Sequence, residues 1–360
     1  MKSKRVPEIP NNDLQFIPPE EGLVSSIQIW KKEAEARMAV AELKGIANII
    51  PNQAILINAV VLQEAQDSSE IENIITTRDK LYQSISANSK TMDSQTKEVV
   101  WYREALLAGF SMIRKNGVLR LKDINKIQSI LIGNNAGIRK TPGTSLLNQR
   151  THTVVYTPPD PNCIMSVYSN LLEFFNTCEP SLINLAILHF QFESIHPYYD
   201  GNGRTGRLMN ILYLLLKGFL DVPILYLSSY IIKNKNEYYT LLNRVNFEES
   251  WESWILFILE AIKVVSIETK QKVLNIHTLL NTTLIDVKDK ASKFYSKELV
   301  EILFENPYCK IEFVKNKIGV ERKAAARYLN KLSELGILAK KKIGKENIYI
   351  NSELMKILKS

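Results

Sequence analysis

The sequence predicts a mainly α-helical protein with a β-hairpin in its helical core and a winged helix-turn-helix domain at its carboxyl end. Three observations support this fold class. Apolar residues recur at helical spacing through most of the 360 residues. Residues 137–160 are instead rich in Gly, Pro, Thr and Asn, which is typical of a hairpin. Residues 290–360 contain three short helical patterns followed by two strand patterns around a Gly-Lys-Glu turn.

The helical patterns fall into three consecutive regions. The first twenty residues contain four prolines and are predicted to form an extended arm. We expect a helical amino-terminal region at 1–95, a helical core with the hairpin at 96–285, and the winged helix-turn-helix domain at 290–360. The patterning is helical from 25 to 77, where Pro51 is predicted to open a further helix. Helices are also predicted at 96–116, 122–132, 164–177, 182–194, 205–219, 235–247 and 251–285, and then at 296–305, 311–318 and 322–336.

The composition is that of a soluble globular protein, with 45% hydrophobic and 23% charged residues. No run of 18 or more apolar residues is present, which excludes a membrane-spanning helix. The start, Met-Lys-Ser-Lys-Arg, lacks the apolar region of a signal peptide, so we expect a cytoplasmic location. The three cysteines are widely spaced and provide neither a disulfide framework nor metal-ligand spacing.

Positive charge is concentrated at the carboxyl end. Residues 291–360 hold 15 Lys and Arg against 8 Asp and Glu, while the other residues hold 31 against 30. DNA is one partner that this distribution allows, although Ala324–Ala326 offer little chemistry for reading bases. Winged helices also dock proteins or form dimers, so a protein partner, a homodimer and a solvated basic face stay open. The basic residues are Arg322, Lys323, Arg327 and Lys331 on the third helix, and Lys340, Lys341, Lys342 and Lys345 on the wing.

The most informative segment is His196-Pro-Tyr-Tyr-Asp-Gly-Asn-Gly-Arg-Thr-Gly-Arg207, between two predicted helices. Its glycines allow consecutive backbone N–H groups to point into one concavity, and the next helix directs its positive amino-terminal end there. Arg204 and Arg207 can grip phosphate oxygens from one face of that helix. Asp200 can hold Mg²⁺ between phosphates, and His196 can act as a base near neutral pH.

This segment resembles the signature of the Fic family, His-x-Phe-x-(Asp/Glu)-Gly-Asn-Gly-Arg-x-x-Arg. One position departs from it, because Tyr198 replaces the usual Phe. The resemblance implies a mostly helical core and transfer of AMP from ATP to a hydroxyl of a protein Ser, Thr or Tyr, including residues of the enzyme itself. His196 would deprotonate the target hydroxyl, and Asp200 would bind Mg²⁺. The ATP-binding positions would be Gly201, Asn202, Gly203, Arg204, Thr205, Gly206 and Arg207.

Two flanking segments extend the resemblance. Upstream, Ser68-Ser-Glu-Ile-Glu72-Asn73 resembles the family's inhibitory pattern, (Ser/Thr)-x-x-x-Glu-(Gly/Asn), in which Glu72 would pair with Arg207 and block the γ-phosphate. Downstream, Tyr238, Tyr239 and Asn246 resemble the nucleoside pocket. Tyr238 fits a core position equally well. An ordinary exposed acidic helix is the alternative for the first segment.

The hairpin at 137–160 lies where the family has its flap, which pairs with the target segment through main-chain hydrogen bonds. The candidate edge is Thr153, Val154, Val155 and Tyr156, and a simple connecting hairpin is the alternative. Arg139 and Arg150 are near enough in sequence to contact a substrate, with no assigned role. We treat the remaining histidines as structural or exposed and Trp251 and Trp254 as packing residues.

The leading hypothesis is therefore an autoinhibited protein adenylyltransferase that uses ATP and Mg²⁺. Another transfer on the same scaffold, or removal of AMP with the inhibitory glutamate, is the first alternative. A DNA-binding regulator for which the nucleotide is only a ligand is the second, and the intact His196 argues against it. The residues identify neither the target protein nor the oligomeric state.

Overall fold

The computed structural model is mostly helical and describes residues 6–87, 92–148, 151–343 and 346–359. Its mainly helical fold class and both predicted β-hairpins are confirmed. In chain order the helices are α1 (Glu21–Val24), α2 (Ile27–Ala47), α3 (Gln53–Ile71), α4 (Arg78–Ala87), α5 (Ser94–Asn116), α6 (Leu121–Ile132), α7 (Pro161–Thr177), α8 (Leu182–Ile195), α9 (Asn202–Leu216), α10 (Ser228–Lys233), α11 (Lys235–Glu248), α12 (Trp251–Lys290), α13 (Lys297–Glu305), α14 (Ile311–Ile318), α15 (Arg322–Glu334) and α16 (Ser352–Lys359).

The strands form two small antiparallel sheets. One is the hairpin of β1 (Leu146–Leu147) and β2 (Val154–Tyr156), with an irregularity after Leu146. The other has the order β3-β5-β4, made by β3 (Tyr308–Cys309), β4 (Ala339–Ile343) and β5 (Glu346–Ile350). A 3₁₀ helix, Ser292–Phe294, follows α12.

The chain divides into two compact units. The first contains Met1–Ala41, Asp67–Ile74 and Trp101–Ser266, and the second contains Glu42–Gln66, Ile75–Val100 and Ile267–Ser360. The three consecutive domains expected from the sequence stay a prediction. Among the described helices, none combines the length and the apolar character that a bilayer span requires.

Two helices buried on nearly all sides lie at the centre of the first unit. In α8 every residue except Asn184 is buried, and in α9 so is every residue from Arg204 to Leu214. A helix that is apolar around its whole circumference has to lie inside its domain. Trp251 and Trp254 pack against α8 through Phe190, and the Trp254 indole donates to the Ala186 carbonyl (2.8 Å). Polar residues on these helices are therefore held in fixed places by the core around them.

The second unit contains the winged helix-turn-helix. The Ser296 hydroxyl caps α13 by accepting from Leu299 N, and Gly319 ends α14 in the left-handed conformation. Helix α15 buries Ala325, Leu329 and Leu332, which lie on one face at helical spacing, and exposes its basic residues. Strands β4 and β5 form the wing. The short strand β3 and the terminal helix α16 complete the winged helix-turn-helix domain.

Candidate active site

The loop between α8 and α9 is closed by the side chain of Asn202. Its carbonyl accepts from the backbone N–H of Tyr198 (2.8 Å), and its amide donates to the Tyr198 carbonyl (2.8 Å). Asn202 is 3% exposed, so both backbone groups depend on this one side chain. Tyr198 is itself fully buried, with its hydroxyl donating to Asn125 and meeting Tyr168. Tyr198 therefore anchors the loop in the core although it replaces the usual Phe.

His196 occupies an unusual backbone conformation at the end of α8. Its φ of 46° is left-handed, and its N–H donates to the Phe192 carbonyl (3.0 Å). A non-glycine residue in this region stores strain that the surrounding structure must maintain. Arg139 does so, because its Nε donates to the carbonyl of His196 (2.9 Å). The conformation directs the chain out of α8 and straight into the loop.

Burial and the positive charge of Arg139 lower the pKa of His196 to about 4. Glu72, a hydrogen bond with the backbone of Glu193, and Asp200 act in the opposite direction. The imidazole is therefore neutral at physiological pH and can accept a proton.

Two glycines allow close approach at the start of α9. Gly201 has a φ of 76°, and a Cβ there would lie 2.4 Å from Ile132 Cδ1. At Gly203 a Cβ would lie 2.3 Å from Glu72 Oε1. The carboxylate of Glu72 thus lies directly against the backbone at the amino-terminal end of α9, where an anion is electrostatically favoured.

Asp200 and Arg204 flank this helix end. Arg204 is 2% exposed and lies 3.8 Å from Asp200 Oδ1, while the Asp200 side chain is 70% exposed. The described residues contain no group of three His, Cys, Asp or Glu side chains that could hold a metal ion among themselves. A single exposed carboxylate next to an anion site nevertheless suits Mg²⁺, which keeps several waters and binds substrate phosphates as well. Asp200 therefore fits the role of a magnesium ligand.

Arg207 is buried and contacts two residues at the end of α3. Its Nε donates to the Ser68 hydroxyl (2.9 Å), and its Nη2 donates to the Ser68 carbonyl (2.8 Å) and to Glu72 Oε1 (2.9 Å). The predicted pair of Glu72 and Arg207 is thus present in the structure. Helix α3 ends at Ile71, so Glu72 follows its last turn, and Asn73 adopts a left-handed φ of 62°.

The charges of this pair stabilise each other. Burial alone would raise the pKa of Glu72, but the charge and hydrogen bond of Arg207, with Arg204 and His196, lower it below the ordinary value. Burial alone would lower the pKa of Arg207, whereas Glu72 and Glu193 raise it. Both groups are therefore ionised at neutral pH.

Helix α11 brings the proposed nucleoside residues to different depths. Tyr238 is 1% exposed, and its hydroxyl hydrogen-bonds with His189 Nε2 (2.9 Å), which is a core position. Tyr239 is 40% exposed, and its hydroxyl lies within the electrostatic reach of Glu72 and Arg207. Asn246 Oδ1 accepts from the hydroxyl of Ser194, two residues before His196 (3.3 Å). Tyr239 and Asn246 are thus the accessible members of the set.

The flap differs in detail from its prediction. Strand β2 contains Val154, Val155 and Tyr156, while Thr153 precedes it and its carbonyl accepts from Asn148 N (2.9 Å).

The sequence assigned no role to two buried charged residues. Arg139 is 2% exposed and also bonds the carbonyls of Ile195 and Pro159, so it links the loop to the chain after the flap. Arg150 lies outside the described residues. Glu193 is 8% exposed, and burial raises its pKa to about 7. A carboxylate one turn before His196 in an apolar helix was the available signal.

Three family models match consecutive parts of the chain. The model of the Fic/DOC family N-terminal region matches residues 30–111, and the model of the Fic/DOC family itself matches 118–214. The model of the C-terminal domain of SoFic-like protein adenylyltransferases matches 279–354. The motif loop and the winged helix therefore each lie within a matched region.

Curated relatives match over shorter stretches. Protein adenylyltransferase Fic of Aedes aegypti is 24% identical over 152 residues, which cover 41% of this chain and 30% of that protein. Protein adenylyltransferase fic-1 of Caenorhabditis elegans is 31% identical over 96 residues, which cover 25% and 18%. The match thus spans less than a third of the length of these relatives.

Solved structures share the fold. A Fic family protein from Desulfovibrio desulfuricans G20 aligns with a TM-score of 0.59 at 18% identity, over 93% of this chain and 98% of that chain. Fic-1 from C. elegans aligns with a TM-score of 0.52 at 18% identity, over 69% and 72%. These identities support a shared fold and nothing finer.

Asn202→Ala is expected to lower the free energy of unfolding by about 2–4 kcal/mol, because it leaves two buried backbone groups of Tyr198 without partners. Asn184→Ala is the matched control, since its exposed amide donates to the Glu179 carbonyl, which water can also reach. The control should change stability by less than about 1 kcal/mol. Urea unfolding measures both, and equal effects would contradict this account of the loop.

The lowered pKa of His196 predicts that its ring stays neutral from pH 8 down to about pH 5. NMR titration of histidine-labelled protein, assigned with His196→Ala, measures this directly. Glu72→Gly should lower the pKa further, since Glu72 raises it. Folding lowers the pKa of His196, so its neutral ring contributes fully to the stability of the folded protein above about pH 6.5. This contribution is lost as the pH falls from about 6.5 towards 4. A midpoint near 6.5 would contradict the prediction.

Proposed function

Because the chain belongs to the Fic/DOC family, we propose that it is a protein adenylyltransferase, which transfers AMP from ATP to a hydroxyl of a protein Ser, Thr or Tyr side chain. The observation that carries the proposal is the loop itself. A neutral His196, the helix end at Gly201–Gly203 and two buried arginines converge within twelve residues. This set combines a base with an anion site, which a reaction of a hydroxyl with a nucleoside triphosphate requires.

In the proposed reaction the target hydroxyl attacks the α-phosphorus of ATP. The new bond joins the hydroxyl oxygen to the α-phosphorus. The bond from the α-phosphorus to the oxygen that bridges the α- and β-phosphates breaks, and pyrophosphate leaves in line. His196 takes the hydroxyl proton at a ring nitrogen. Arg204, Arg207 and the N–H groups at the start of α9 bind the triphosphate and oppose the charge that develops on the leaving group.

Asp200 would hold Mg²⁺, and a bound magnesium ion would supply charge neutralisation between the phosphates. The exposure of this carboxylate leaves room for such a ligand. Tyr239 and Asn246 would contact the nucleoside. Val154 and Val155 on β2 would pair with an extended target segment, since main-chain pairing accepts many sequences.

We further propose that Glu72 inhibits the enzyme. Its carboxylate contacts Arg207 and lies against Gly203, where a γ-phosphate would have to bind. A carboxylate and a phosphate cannot share this place, because like charges repel strongly at short distance in a buried site. Transfer of another group and removal of AMP remain alternatives on the same scaffold.

Labelling with ATP that carries radioactive α-phosphate tests both proposals. We expect Glu72→Gly to retain at least about tenfold more label on itself than the unaltered chain. Adding His196→Ala should reduce that label by about a hundredfold or more. Glu70→Gly is the matched control, because it removes a carboxylate from the same helix end without touching Arg207.

Label on Glu70→Gly equal to that on Glu72→Gly would contradict inhibition by the Glu72 carboxylate. No label on any variant, although each binds ATP, would contradict AMP transfer to the chain itself.

The second unit supports a second proposal, binding of duplex DNA. Lys323, Arg327 and Lys331 are exposed at four-residue spacing along α15, so they form one basic stripe. Lys340–Lys342 are all exposed on the wing. A helix and a wing that carry exposed basic side chains can neutralise DNA phosphates on both sides of a groove.

Fluorescence anisotropy with a labelled 30-base-pair duplex tests this proposal. We expect the logarithm of the affinity to fall linearly with the logarithm of salt, and Arg327→Glu with Lys331→Glu to reduce that slope by about 2. Lys122→Glu with Lys126→Glu on α6 makes the same change in net charge and should leave the slope nearly unaltered. Equal loss in both pairs would indicate nonspecific attraction, and absence of binding would contradict the proposal.

A further inference from the structure

Glu193 is a buried carboxyl group that the proposed mechanism does not use. It lies on α8 one turn before His196 and is 8% exposed. Within the described residues its Oε1 has no hydrogen-bond partner. This oxygen packs against Gly206 on α9, where a Cβ would lie only 2.4 Å away. A buried carboxyl oxygen without a partner is costly, so its position calls for an explanation.

Charged and titratable groups face Glu193 from every side of the site. Arg207 on α9 supplies positive charge, and Glu72 after α3 supplies negative charge. The phenols of Tyr238 and Tyr239 face it from α11, and burial raises both of their pKa values, so they are neutral. On α8 itself, His189 and His196 have pKa values lowered by burial to about 3 and about 4, so they are neutral too.

Two carboxyl groups therefore act on the charge of Arg207, Glu72 by direct contact and Glu193 through space. If both are ionised, two carboxylates are buried beside Arg207, with Arg204 acting on Glu72, and the second buried negative charge is unfavourable in a low-dielectric interior. Burial raises the pKa of Glu193 to about 7, with Arg207 lowering it and Glu72 raising it. Glu193 thus exchanges its proton near neutral pH, and its protonated form limits the buried negative charge while Glu72 is in place.

We propose that Glu193 is a positioning residue for Arg207 that exchanges a proton with solvent whenever the partner of Arg207 changes. It holds the proton while Glu72, or a phosphate that replaces Glu72, contacts Arg207. When Arg207 has neither partner, Glu193 loses the proton and becomes the carboxylate that keeps the guanidinium in place. The inference rests on the proposed function in one respect, since it takes ATP to be the ligand that replaces Glu72.

This exchange has a thermodynamic signature. A group that is ionised in the free site and protonated in the complex makes ligand binding take up a proton and weaken as the pH rises. Removing Glu72 removes a neighbour that raises the pKa of Glu193, so the ionised form of Glu193 is favoured in the free site of Glu72→Gly. Bound γ-phosphate restores the negative neighbour.

Isothermal titration of the full chain with ATP and Mg²⁺ tests the proposal without turnover. The protein used is the double variant Glu72→Gly with His196→Ala, here called the background chain. The first change frees Arg207 from Glu72, and the second prevents AMP transfer. We expect uptake of about 0.3–0.8 proton per ATP at pH 7, measured in buffers of different ionisation enthalpy, and a Kd that rises at least about threefold from pH 6 to pH 8. Adding Glu193→Gln should remove both effects, and Glu173→Gln on the exposed side of α7 should preserve them.

The outcomes separate the two proposals. Proton uptake that is the same with and without Glu193→Gln would overturn the role of Glu193 and leave the proposed function intact. Absence of ATP binding in the background chain would overturn both. Because uptake is measured before Glu193 is altered, a background chain that binds ATP without taking up a proton also overturns the inference, whether or not Glu193→Gln folds.

Discussion

A buried guanidinium needs a partner, and this requirement shapes the site. Arg207 lies on a helix enclosed by the core, so leaving its charge unpaired would cost several kcal/mol. The end of α3 answers that need with a hydroxyl and a carbonyl from Ser68 and a carboxylate from Glu72. Gly203 and Gly206 then have to be small, because carboxylate oxygens occupy the space beside them. The carboxylates near Arg207 thus determine both the charge balance of the site and which residues fit beside them on α9.

The contacts of Arg139 also explain why the His196 imidazole is neutral although several positive charges lie near it. Arg139 positions the loop through three carbonyls, and its charge lowers the pKa of His196 as burial does. A protonated imidazole would be unable to accept the hydroxyl proton in the proposed reaction. Holding the loop and keeping its base neutral are therefore two effects of one buried arginine.

Much of this was predictable from the sequence because the motif is local. Twelve consecutive residues specify the loop, its glycines and its arginines, and helical spacing gave most element boundaries to within a few residues. The pairing of Glu72 with Arg207 followed from resemblance, since no pattern in the chain relates residues so far apart.

What the sequence could not supply depends on tertiary structure. Arg139 had no assigned role, because only the fold brings three carbonyls around it. Glu193 was not singled out, because its raised pKa arises from the surrounding core. The strand β3 is two residues long and exists because β5 lies beside it, so it carries no periodicity of its own.

The position of Glu72 beyond the last turn of α3 has a consequence in time. The turn that holds it consists of a few backbone bonds, from Glu72 and Ile74 to Ser69 and from Asn73 to Glu70, with Lys235 on the Ile71 carbonyl. Opening such a turn is a fraying motion of a helix end, which occurs on the order of nanoseconds to microseconds and leaves the helix folded. Ser68 stays on the helix as a neutral partner of Arg207 throughout. Release of Glu72 from Arg207 would therefore require only this short turn to open, and not the unfolding of α3.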